Sequence, residues 1–152
     1  MELIKNYDIK VLCNPGVESA QLLTPENSRS EKVSVTKVSV MPGAEQPRHK
    51  HYTSEQIWVA IKGRGVLLLA DDKEVPFEAG DVVRFAEKEI HGLKNIGPEA
   101  FEYICISTPP MNFAYAYMHA RYIIRQVQNE KSGSMAAFFI SRKVIFCRSR
   151  ES

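Results

Sequence analysis

The sequence predicts an all-β protein, a sandwich or barrel of short strands. Runs of β-branched and aromatic residues recur between residues 31 and 108, each closed by turn residues after roughly 8–12 positions. No long segment with a helical period interrupts them, which removes alternating strand–helix architectures. A chain of 152 residues with 44% hydrophobic and 25% charged side chains is one domain's worth and buries a real core.

The elements follow in order. Asn14-Pro15-Gly16 and Pro25-Glu26-Asn27-Ser28 read as turns flanking a strand at Glu18 to Leu23. Val33, Val35, Val38 and Val40 form a strand that stops at Met41-Pro42-Gly43. Its alternation changes phase at Thr36-Lys37, which predicts a bulge or a switch of sheet there. Further strands are expected over Ile57 to Ile61, Val66 to Ala70, Val75 to Phe77, Val82 to Phe85, Ile90 to Lys94 and Phe101 to Ser107. The turns between them carry glycine, proline, asparagine or aspartate, as in Lys62-Gly63-Arg64-Gly65 and Asn95-Ile96-Gly97-Pro98.

Three of the four histidines stand out. His49 and His51 are two apart, so on a strand they share a face while Lys50 points away. Imidazole is the commonest side-chain metal ligand at neutral pH. Two rings on one strand face and a third, His91, brought in by folding make a transition-metal site. The bland alternative is a pair of solvated histidines in a basic stretch that includes Arg48.

The residues around them form a longer pattern. Gly43, five residues, His49-Lys50-His51, four residues, Gln56, six residues and Gly63 resemble the first motif of the cupin family. Gly80, ten residues, His91, three residues and Asn95 resemble the second. The resemblance covers about residues 30–108 and implies a double-stranded β-helix, the jelly-roll barrel of small single-domain cupins. It also implies a ligand set of His49, His51, Gln56 and His91 for a divalent ion: Mn, Fe, Co, Ni or Zn.

The chain departs from that pattern in two places. The third ligand of the family is usually glutamate, whereas Gln56 stands there and Glu55 is its neighbour. Adjacent strand residues point to opposite faces, so only one of the two reaches the site. Gln56 is preferred because Trp58 and Ala60 then share its inward face; Gln56 as a lumen hydrogen-bonder beside three histidine ligands is the other reading. A neutral ligand set leaves the ion's charge uncompensated, giving a stronger Lewis acid in a more exchangeable site. The second departure is Ala86 and Lys88, where proline and glycine are usual before His91.

Other residues near the pattern carry less. Trp58 serves as barrel core or as a substrate platform, and Phe101 and Tyr103 pack. His119 is read as a surface residue and Gly80-Asp81 as a turn. Glu45, Glu55 and Tyr52 lie close to the motif without an assigned direction, so no general acid or base is named.

Residues 1–29 are read as an N-terminal arm, 30–117 as the barrel and 118–152 as a basic extension. The extension holds seven basic and two acidic residues, net +5, against −3 for the first 117 residues, which hold 13 basic and 16 acidic. Met111 to Tyr117 is expected to pack across the barrel as an aromatic-rich strand or short helix. The extension is assigned no function, although a basic tail that binds nucleic acid or a membrane surface is an alternative. The first ten residues mix charges and lack the apolar core of a signal peptide. Cys13, Cys105 and Cys147, odd in number and far apart, argue against a disulfide framework and for a reducing cytoplasm.

The expectation for function is a small metal-binding cupin acting on a small polar metabolite, by isomerase, tautomerase or lyase chemistry on a carbohydrate or uronate derivative. An Fe(II) dioxygenase and a non-catalytic ligand-binding or sensor module are the alternatives. A small-molecule ligand is the expected partner, with neither nucleic acid nor membrane. A homodimer is expected, with the strand at Glu18 to Leu23 pairing with a partner subunit.

Overall fold

The structure, a computed structural model, describes residues 1–111. Its strands are β1 Val11–Asn14, β2 Val17–Leu23, β3 Ser34–Val40, β4 Glu45–His49, β5 Glu55–Lys62, β6 Arg64–Leu68, β7 Glu74–Glu78, β8 Val82–Phe85, β9 His91–Asn95 and β10 Phe101–Thr108. They form a six-stranded sheet, β1-β2-β3-β10-β5-β8, and a four-stranded sheet, β4-β9-β6-β7. This is the jelly roll the sequence predicts. The expected packing of Met111 to Tyr117 lies, beyond Met111 itself, outside the described residues. The surface position of His119 and the extension over 118–152 lie outside them as well.

Two sheets face each other because each strand has one apolar side to bury. Val38, Val40, Trp58, Ala60, Phe101 and Tyr103 come from the larger sheet, and Leu67, Phe77 and Leu93 from the smaller, to make one core. Along the middle of the larger sheet the inward side chains change character together. Tyr103 lies between Val38 and Ala60, Cys105 between Thr36 and Trp58, and Ser107 between Ser34 and Gln56. One end of the barrel interior is therefore apolar and the other is lined by hydroxyl and amide groups.

That gradient corrects the expected phase change at Thr36-Lys37. Burial alternates without a break along β3, with Ser34, Thr36, Val38 and Val40 inward. Ser34 and Thr36 are inward because they belong to the polar end, so hydrophobicity misreads the strand while its geometry is regular. The register shift lies instead in β2, between Gln21 and Leu23.

β2 lies inside the larger sheet. It is hydrogen-bonded on both sides within its own chain, to β1 and to β3. Among the described residues, Cys105 is a free, buried thiol. No helix of the described residues is long and apolar enough to cross a membrane.

Gly43 turns the chain into β4 with φ +72°, a conformation other residues adopt at a cost. Gly92 has a different reason to be glycine. A Cβ there would lie 2.6 Å from the Gln46 carbonyl oxygen and 3.0 Å from the Arg48 nitrogen. The contact arises where β4 slips register against β9 between Gln46 and His49. Gly92→Ala is expected to force these strands apart and to lower stability by about 1–3 kcal/mol. Urea denaturation checks this; wild-type stability in the variant would show that the strands do not approach so closely.

Candidate metal centre

β4 and β9 bring His49 opposite His91. His51 lies beyond the end of β4, since the strand stops at His49. The two rings from the His-Lys-His sequence are therefore not set on one face by strand alternation, as expected. His51 is held instead by the loop before β9, where the Lys88 backbone N–H donates to the His51 carbonyl at 2.7 Å. Lys88 has φ +67°. It takes the left-handed conformation for which glycine is usual.

The three rings come together. Ring centroids are 4.9 Å apart for His49 and His51, 4.5 Å for His49 and His91, and 5.2 Å for His51 and His91. One nitrogen of each lies within 4.8 Å of the others. Phe85 stacks on His91 at 4.3 Å and 11°, and the Trp58 edge meets it from another side. These contacts fix the His91 ring plane.

Backbone carbonyls set the tautomers. His49 Nδ1 lies 2.8 Å from the Pro47 oxygen and His91 Nδ1 lies 2.8 Å from the Glu89 oxygen. A carbonyl only accepts, so each Nδ1 carries the proton and each Nε2 keeps a lone pair. Burial lowers all three pKa values, helped at His51 and His91 by the neighbouring rings: His51 falls to about 4 and His91 to about 3. All three are neutral at neutral pH, the form that binds a metal.

Two features fit a cation. His51 Nε2 is buried without a hydrogen-bond partner among the described residues. His91 Nε2 faces the Gln56 side-chain oxygen at 3.2 Å, so two lone pairs point toward each other with no proton between them. A buried polar atom left without a partner is costly, and a shared positive ion relieves both arrangements. Imidazole nitrogens suit Mn, Fe, Co, Ni or Zn alike.

Gln56 and Glu55 take opposite directions. Gln56 is 2% exposed and points inward with Trp58 and Ala60. Glu55 points outward and pairs with Arg84 at 2.6 Å. Glu45 and Tyr52 are exposed. No aspartate or glutamate is among the buried residues of the described chain, so no carboxylate neutralises the cluster from within.

Asn95, the last residue of the second motif, is structural. Its amide donates at 2.8 Å to the carbonyls of Val40 and Glu99 and its oxygen accepts from the Gly97 N–H. Nothing in the sequence marks the Pro47 and Glu89 carbonyls, because any residue supplies one. Gly92 is similarly silent there, since its role follows from strand register.

The family model for the cupin domain matches residues 36–107. An uncharacterised protein of Methanocaldococcus jannaschii is 32% identical over 113 residues, covering 72% of this chain and 90% of that protein. The chain is a cupin. The oxalate-binding protein of Thermotoga maritima is 30% identical over 90 residues, covering 59% of this cupin and 74% of that protein. Among solved structures, KdgF from Halomonas sp. superposes with a TM-score of 0.61 over 72% of this cupin and 96% of that chain, at 17% identity. That likeness concerns the fold alone.

The depressed pKa values have a stability consequence. The folded-state values lie below the ordinary 6.5 of histidine, so unfolding takes up protons at mildly acidic pH. The metal-free protein is expected to be most stable above about pH 6.5 and to lose that contribution as pH falls toward 4. Thermal unfolding in chelator across this window checks it. His51→Gln removes one of the groups that takes up a proton, so its melting temperature should fall less steeply on acidification. Equal pH slopes in the two proteins would contradict this origin.

Proposed function

We propose that His49, His51 and His91, through their Nε2 atoms, and Gln56, through its side-chain oxygen, hold a divalent transition-metal ion that receives a small polar metabolite. The observation that carries this reading is the convergence of three neutral imidazoles with no anionic side chain buried beside them among the described residues. A bound ion would supply Lewis-acid polarisation of a carbonyl or enediolate oxygen.

The residues of the chain determine which metabolite suits the site. Three imidazoles and an amide carry no charge, so nothing in the ligand set offsets the ion's +2. An oxygen anion is therefore drawn in more strongly than to a site with a carboxylate ligand. Trp58, Phe85 and Tyr103 wall the apolar side and exclude water there. The hydroxyls of Ser34, Thr36 and Ser107 are buried at the polar end of the interior, on the other side. A carbohydrate or uronate derivative that rearranges through an enediolate fits this combination.

A second reading is binding without turnover. It is favoured by the absence of a buried carboxylate among the described residues, which leaves no evident group to move a proton. The relative named as an oxalate-binding protein also supports a small carboxylate ligand.

Elemental analysis of protein purified without chelator tests the site. One divalent ion per chain is expected, lost in His49→Ala and held at least about tenfold more tightly in Gln56→Glu, because a carboxylate adds charge neutralisation. Full metal content in His49→Ala would contradict the assignment. Incubation of the loaded protein with uronates and keto acids then separates turnover from simple binding.

A further inference from the structure

Gln56 has an amide whose oxygen and nitrogen occupy nearly the same space, so something must decide which faces the histidines. Its oxygen lies 3.0 Å from Trp58 Nε1 and 3.2 Å from His91 Nε2, while its nitrogen donates to Ser107 Oγ at 3.0 Å. Ser107 does not decide the orientation, because a hydroxyl both donates and accepts. Trp58 does, because an indole N–H only donates. Turning the amide over would set its NH₂ against that N–H. The Cys105 thiol, the other polar group beside the indole, accepts weakly.

We infer that Trp58 is a positioning residue: its indole N–H locks the Gln56 amide with the oxygen toward His91, making glutamine a metal ligand where it would otherwise turn its NH₂ to the site. This rests on the metal site proposed above. The placement explains how a neutral amide serves here. A carboxylate presents an oxygen whichever way it turns and needs no such partner. Glutamine presents one only when it is held, and the holding group sits two residues along the same strand, on the same inward face, 1% exposed. Tyr103 and Phe85 pack against the Trp58 rings at 4.5 and 5.0 Å and fix the direction of the N–H. The pair is thus one unit: the strand provides the spacing, and the barrel core provides the rigidity.

The test is a double-mutant cycle on the full chain, with Co(II) as the probe. Affinity is read by calorimetry and the coordination by the visible absorption bands of the ion. Trp58→Phe is expected to weaken Co(II) binding about tenfold and to change the bands. In the Gln56→Glu background the same change is expected to alter neither, since the carboxylate needs no orienting donor. Replacing Trp58 by benzothienylalanine, which keeps the bicycle and removes only the N–H, must give the same pattern and covers the case in which Trp58→Phe does not fold. An equal loss in both backgrounds would show that Trp58 acts by packing and would overturn the inference while leaving the metal site standing. Absence of Co(II) binding by the wild-type chain would overturn both.

Discussion

Two backbone carbonyls decide what this barrel presents to its interior. Pro47 and Glu89 each accept the Nδ1 hydrogen bond of the histidine two residues later. Both Nε2 lone pairs are thereby left free, and burial keeps the rings from filling them with protons. Everything else about the centre depends on that arrangement. It requires β4 and β9 to lie close, and Gly92 allows it because the backbone of β4 occupies the space where a Cβ would be. It also requires the loop before β9 to hold His51, which Lys88 does from a left-handed conformation.

The interior is organised around this centre by a gradient. Three neighbouring strands, β3, β10 and β5, pass from aromatic and aliphatic residues to hydroxyl and amide residues in the same direction. The apolar end supplies stability by burial. The polar end pairs its buried amide with neighbours on both sides, Gln56 with Ser107 and with Trp58. Glutamine in place of glutamate at position 56 has two opposed effects. An ion there would be less tightly held, and its charge would be more available to a ligand.

Much of this is legible in the sequence. The spacing of His49, His51 and His91 marks the centre, and strand alternation distinguishes inward Gln56 from outward Glu55 because Trp58 and Ala60 share the parity of Gln56. Turn residues locate β5 to β10 to within a residue or two at most ends. The rest depends on register and backbone. β1 is short and carries no alternation strong enough to see. β4 holds Pro47 and a register slip, so His51 falls outside the strand although the spacing suggests otherwise. Ser34 and Thr36 read as a break in pattern because polarity usually signals exposure, whereas here both are buried. The Trp58–Gln56 bond joins two residues whose types suggest core and ligand separately, and only their side-chain geometry couples them.

The central claim is that three imidazole nitrogens share one ion. X-ray absorption at the metal edge of the loaded protein measures this most directly. The account predicts multiple scattering from about three imidazoles at ~2.0–2.2 Å, with oxygen donors completing the shell. A shell of oxygen donors without imidazole scattering would contradict it.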